Sequence, residues 1–156
     1  MANIYNLFKF IESKRPEYRT PLKFKLLLDP ETITPEELHV SGNLNLSRTS
    51  IKSLPAGLRV DGSLYLAYTQ IKSLPAGLRV GGNLVLSGTP IQTLPTGLRV
   101  DGSLYLSQTK IQSLPADLQV DGDLSLSGTP IAEKHSAEEI LKMIEDTGGS
   151  VKGIYT

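Results

Sequence analysis

His39 and His135 are the only histidines in the chain, and there is no Cys. Metal or acid–base chemistry would need an imidazole with a partner at ligand spacing, yet neither histidine stands in HExxH or near the other. His39 replaces the Arg of a repeating column and His135 precedes a helix start, so both read as surface residues. The lack of Cys removes disulfides, thiolate metal sites and cysteine nucleophiles together. Gly81 and Gly82 could cradle a phosphate only within a GxGxxG or GK[ST] setting, which their neighbours do not supply. Asp61, Asp101 and Asp121 each precede a Gly and invite a calcium reading. They lack the dense carboxylate loop that calcium needs, and turn chemistry accounts for them. The serines nearby have no base partner in the pattern. The expectation is therefore no catalytic residue, no metal and no cofactor; the chain does not read as an enzyme.

What these residues share is repetition. The decapeptide IKSLPAGLRV stands at residues 51–60 and again at 71–80. Stacking 41–60, 61–80, 81–100 and 101–120 gives xGxLxLxxTxIxxLPxxLxV, half continued by 121–131. Such a period marks a solenoid, in which one unit cannot bury its apolar face alone but stacked units can. A weaker copy precedes it, with LKFKL at 22–26 aligned to GNLNL and TPEELHV at 34–40 aligned to LPAGLRV. The solenoid is thus expected to begin at residue 22.

Within a unit, Leu58, Val60, Gly62, Leu64 and Leu66 alternate with polar residues, the period of a strand with one buried face. Gly62 beside Asp61 predicts a bend, and the Pro of each Leu-Pro step a tight arc on the opposite side of the coil. With strands about 4.8 Å apart, roughly five coils make a ladder on the order of 24 Å long. Both ends depart from the pattern, as the caps of a solenoid must. Ile4, Leu7, Phe8 and Ile11 predict an amphipathic helix over 3–14 that stops before Pro16. Ser136 and Glu139 form a capping box ahead of Ile140, Leu141 and Ile144, with Gly148 as the stop, and SVKGIYT offers a last strand. One domain results: an N-terminal helical cap (1–21), a repeat solenoid (22–131) and a C-terminal helical cap with a tail (132–156).

The columns Leu64-x-Leu66-x-x-Thr69-x-Ile71-x-x-Leu74-Pro75 resemble the leucine-rich repeat, LxxLxLxxNxL. The twenty-residue period ending in Leu-Pro is similar to the short repeats of secreted bacterial effectors and of small phage or bacterial proteins. The resemblance covers residues 22–131. It implies an α/β solenoid, a leucine-rich-repeat-like parallel β superhelix with one main strand per 20-residue coil and helical N- and C-terminal caps. Two departures keep a parallel β-helix as the alternative. Thr49, Thr69, Thr89, Thr109 and Thr129 stand where the family has an inward Asn. Ser41, Asp61, Gly81, Asp101 and Asp121 stand where it has its first Leu, with Val one residue earlier filling the core. The ubiquitin-ligase domain carried by some such effectors needs a catalytic Cys, which this sequence lacks.

Sixteen Lys and Arg balance sixteen Asp and Glu, so no basic excess points to nucleic acid or an anionic membrane. No apolar run of about eighteen residues and no signal-peptide pattern stands in the sequence; a soluble, cytoplasmic protein is expected, with delivery into a host cell left open. The outward positions carry the remaining information. Asn45, Tyr65, Val85, Tyr105 and Ser125 sit between the strand leucines, on what would be the concave face, with Tyr68 near the edge. Tyr is enriched at interface hot spots, and an exposed apolar ladder without a partner is a liability. A second column runs His39, Arg59, Arg79, Arg99, Gln119, near Lys52 and Lys72. Arg59 with Asp61 and Arg99 with Asp101 are expected to pair, giving a partly compensated face; contact with an acidic partner or phosphate is the alternative. The expected function is a non-catalytic protein-interaction module with a rigid concave face. The resemblance adds that a phage or pathogen protein of this type would inhibit or redirect a host protein. A structural or self-associating solenoid, hence a homo-oligomer, is the competing class, and an ice-binding Thr array or an anion-binding surface are further alternatives.

Overall fold

Leu58, Val60, Leu64 and Leu66 point inward in the second coil, and the Asp-Gly step between them turns the chain. The computed structural model describes residues 2–15 and 20–156, with the backbone alone for residues 2, 3 and 5, and shows this turn in every coil. Each coil therefore carries two short strands flanking the bend instead of one continuous strand. Before the bend lie β1 (His39–Val40), β3 (Arg59–Val60), β5 (Arg79–Val80), β7 (Arg99–Val100) and β9 (Gln119–Val120). After it lie β2 (Leu44–Asn45), β4 (Leu64–Tyr65), β6 (Leu84–Val85), β8 (Leu104–Tyr105) and β10 (Asp123–Ser125). The first set forms a five-stranded sheet in the order β1-β3-β5-β7-β9; the second forms β10-β8-β6-β4-β2. All the pairings are parallel and advance by twenty residues, as in Leu44 to Leu64 to Leu84. The result is a parallel β-solenoid of four full turns between β1 and β9.

Hydrogen bonding does not stop at the bend. Gly82 N–H donates to Gly62 O at 2.9 Å and Gly102 N–H to Gly82 O at 3.1 Å, so the corner is itself a ladder. That close approach explains the Gly column better than turn conformation does. A Cβ at Gly82 would lie 2.9 Å from the Gly62 carbonyl carbon and 2.6 Å from Ser63 Oγ.

The core is the set of repeated columns: the strand leucines, Val60/80/100/120, Ile51/71/91/111/131, and Leu58/78/98/118 are all buried. Thr69, Thr89, Thr109 and Thr129 are buried too, and each hydroxyl donates to the carbonyl three residues back, Thr89 to Leu86 at 2.7 Å. They close the turn after the second strand and satisfy themselves locally. These four hydroxyls form no surface array that could order water or ice.

The ends are closed by different elements. Helix α1 (Ala2–Lys14) matches the amphipathic stretch; Pro16, its expected stop, lies outside the described residues. Only one flank of α1 packs inward, with Phe8 against Phe24 at 4.9 Å, while Ile4, Leu7 and Phe10 are exposed. Residues Leu22–Leu28 form helix α2, not the strand expected from aligning LKFKL with GNLNL. Leu26 is buried against the first coil, and buried Lys25 donates to both Glu37 carboxylate oxygens at 2.9 and 3.1 Å. The strands of the solenoid therefore start at His39, after two 3₁₀ turns, Pro30–Thr32 and Pro35–Leu38. At the other end, α3 (Pro130–Lys134) begins on Thr129, and α4 (Ala137–Asp146) begins on the Ser136–Glu139 capping box and buries Ile140 and Ile144. The tail then returns to the sheets. Ser150 bridges Gln119 in the first sheet, and β11 (Gly153–Tyr155) pairs with β10 in the second.

Candidate functional site

Two columns of outward side chains follow from the strand register, one on each sheet. On the second sheet the register aligns Asn45, Tyr65, Val85, Tyr105 and Ser125, as their spacing predicts. The tail lengthens this column, because Ser125 pairs with Tyr155. Tyr65 and Val85 are half-buried, Tyr105 is 39% exposed and Tyr155 60%. The polar members are engaged locally. Asn45 Oδ1 accepts the Ser47 N–H at 3.0 Å, and Ser125 Oγ lies 2.9 Å from Ser107 Oγ. Tyr155 escaped the sequence reading, although GIY shares with GSLY the Gly and the apolar–Tyr pair that end a coil's second strand.

The small polar residues two positions before this column are structural. Asn43 Oδ1 accepts the Ser63 N–H at 2.7 Å, Ser63 Oγ accepts Asn83 N–H, Asn83 Oδ1 accepts Ser103 N–H, and Ser103 Oγ accepts Asp123 N–H. Each coil thus supplies an oxygen to the next coil's backbone just past the bend.

Tyr68 stands three residues beyond β4 with φ 58°, a left-handed conformation shared with Arg48, Gln108, Gly88 and Gly128 in the same column. For a bulky side chain that conformation costs roughly 1–2 kcal/mol. It turns the ring outward, 55% exposed, beneath the Arg48 guanidinium at 5.5 Å. The next coil accepts the ring because it has Gly88 there: a Cβ would sit 2.5 Å from Tyr68 Cδ1. Arg48, Tyr68 and Gly88 form one stack beside the aromatic column.

On the first sheet the register aligns His39, Arg59, Arg79, Arg99 and Gln119. The expected Arg59–Asp61 and Arg99–Asp101 pairs do not form; among the described residues no carboxylate lies within 4.0 Å of any of these three guanidiniums. Asp61 turns instead to His39 Nε2 at 2.8 Å, since the carboxylate at the bend leans toward the preceding coil. Two unit charges at a strand spacing of ~4.8 Å repel by about 1 kcal/mol even in bulk water. Arg59, Arg79 and Arg99, with Asp61, Gly81 and Asp101, line a cleft of about 130 Å³. Lys52 and Lys72 do not belong to it. Lys52 borders a hollow beside α2, and Lys72 lies with Pro90, Gln92, Thr93 and Lys110.

Elsewhere little chemistry is assembled. A hollow of about 590 Å³ at the N-terminal end is lined by Thr20, Leu22, Thr34, Glu36, Glu37 and His39 among others. His135 Nδ1 lies 3.8 Å from Glu139 Oε2, a local contact between the α3–α4 junction and the first turn of α4. Among the described residues no group of three His, Asp or Glu is placed to hold a metal ion, and no helix is long and apolar enough to cross a membrane. No protein-family model, curated protein or solved structure matches the chain.

Proposed function

We propose that the chain is a non-catalytic protein-interaction module of leucine-rich-repeat-like type, whose binding face is the outer side of the second sheet. The observation that carries this reading is the register-aligned column Tyr65, Val85, Tyr105, continued by Tyr155 across Ser125. These side chains rise from strands fixed on their inner side by a closed core and along one border by the Asn/Ser hydrogen-bond ladder. Fixing them on binding therefore loses little further entropy, and Tyr has few rotors to lose. Tyr68, held outward beside the column, extends the face. If the resemblance to phage and bacterial effectors carries over, the partner is a host protein that the module inhibits or redirects.

Affinity capture tests this with the wild type and a Tyr65→Ala/Val85→Ser/Tyr105→Ala variant, both first shown to fold by circular dichroism. A protein retained by the wild type and lost at least ten-fold by the variant is the expected result. Equal retention by both would overturn the assignment of the face. Sedimentation across a concentration series runs alongside: an oligomer dissociated by the same substitutions would give the face to self-association instead.

A further inference from the structure

We propose that Arg59, Arg79 and Arg99 form a binding site for a tetrahedral oxyanion of the phosphate class, on the sheet that does not carry the aromatic column. The site is distinct from the proposed protein-binding face and does not depend on it.

The ends of the arginine column are engaged and its centre is not. His39 contacts Asp61 at 2.8 Å; Gln119 donates to Gly148 O at 3.0 Å and accepts from Ser150 Oγ at 2.7 Å. The three guanidiniums between them make no side-chain hydrogen bond or ion pair among the described residues, although the register sets them on consecutive strands. Their natural counter-charge is missing at the middle coil. The position two after the arginine is Asp61, Gly81, Asp101 and Asp121 in successive coils, so the carboxylate column is interrupted at Gly81, whose backbone lies on the Arg59 coil and belongs to the Arg79 coil. A side chain at 81 is also excluded sterically, because a Cβ there would collide with the Asp61 carbonyl oxygen. Gly81 therefore leaves a gap without charge or bulk in the middle of the cationic run, and the cleft of about 130 Å³ opens there.

The donors available in that gap define the ligand. The Gly81 N–H already donates to Val60 O at 2.8 Å, which leaves the guanidinium forks as donors. Three forks that line one cleft from adjacent strands suit an acceptor with oxygens in several directions, and a tetrahedral oxyanion provides them where a planar carboxylate offers two. Three arginines and two rim aspartates give the lining a formal charge of +3 − 2 = +1. The lining is net positive and so favours an anion, and three guanidinium forks offer more donors than the two oxygens of a carboxylate can accept.

Calorimetric and NMR titration of the full chain at constant low ionic strength tests the site, with inorganic phosphate as probe and acetate as the planar carboxylate reference. The expected result is saturable phosphate binding at one site per chain, at least ten-fold tighter than acetate. Arg79→Gln should weaken it ten-fold or more, and Arg79→Lys should recover part of the loss. Arg79 is exposed, so neither change threatens folding. Tyr65→Ala/Tyr105→Ala should leave phosphate binding unchanged, which separates this site from the aromatic face. A parallel titration with O-phosphoserine distinguishes a free anion from a phosphorylated side chain. No saturation with phosphate, acetate binding as tightly, or an Arg79→Gln variant that binds like the wild type would each overturn the proposal.

Discussion

Asn83 connects three coils with one side chain and one backbone amide. Its N–H donates to Ser63 Oγ at 3.0 Å while its Oδ1 accepts from Ser103 N–H at 2.8 Å. Replacing it by Ala would leave the partly buried Ser103 N–H without a partner, a loss of about 1–3 kcal/mol. Asn45→Ala, at an exposed position whose amide oxygen accepts only from within its own coil, should stay within roughly 0.5 kcal/mol. Urea unfolding of the two variants checks the contrast; equal midpoints would mean that the ladder adds nothing. In the sequence Asn43, Ser63, Asn83, Ser103 and Asp123 are small polar residues two positions before the stripe, which does not disclose their task. The clue was available in their uniformity, since every member carries a short side-chain oxygen. By contrast Thr69, Thr89, Thr109 and Thr129 stand at an inward position of the resembled repeat, and their burial agrees with that position. The arginine pairing failed because a spacing of two along one strand said nothing of the competing neighbour one coil away, His39, to which Asp61 turns.

Elements at the ends were harder to read than those in the middle, because each cap occurs once and has no second copy to align. Helix α4 was legible: the Ser136–Glu139 box and the apolar spacing of Ile140 and Ile144 are local signals. Helix α2 was not, since Leu22, Phe24 and Leu26 alternate like a strand while Leu22 and Leu26 also stand four apart like a helix turn. What decides is position, for a strand there would add one more open edge, whereas a helix lays Leu26 over the first coil and leaves Lys25 to Glu37. The tail solves the same problem at the other end. Val151 and Ile154 pack on the core while Ser150 and β11 continue both sheets. Removing residues 150–156 should lower the melting temperature by about 5 °C, from roughly 1–3 kcal/mol of partial aliphatic burial. It should also expose the β10 edge and increase concentration-dependent association in sedimentation relative to the full chain. An unchanged melting temperature and unchanged sedimentation would show the tail to be dispensable.

Across the whole molecule, each coil meets mainly its two neighbours, so stability should behave as a sum of similar steps instead of depending on one central core. This was legible from the period alone, because identical columns twenty residues apart can be buried together only by stacking. A test follows from joining Gln70 to Ile91, which deletes residues 71–90 and keeps every column in register. A domain with a single interlocked core would collapse on losing 20 of 156 residues. This one should fold cooperatively, with a denaturant m-value lower by about an eighth, as the lost surface requires. The deletion also rearranges both outer columns. Tyr65 would come to stand beside Tyr105 with no Val85 between them, and Arg59 beside Arg99 with Asp61 and Asp101 adjacent and the Gly81 gap gone. Phosphate binding should then be lost from a chain that is still folded, because the site depends on one departure from the repeat. A variant that unfolds would refute the stepwise account of stability. One that folds and still binds phosphate as before would place the anion away from Arg79.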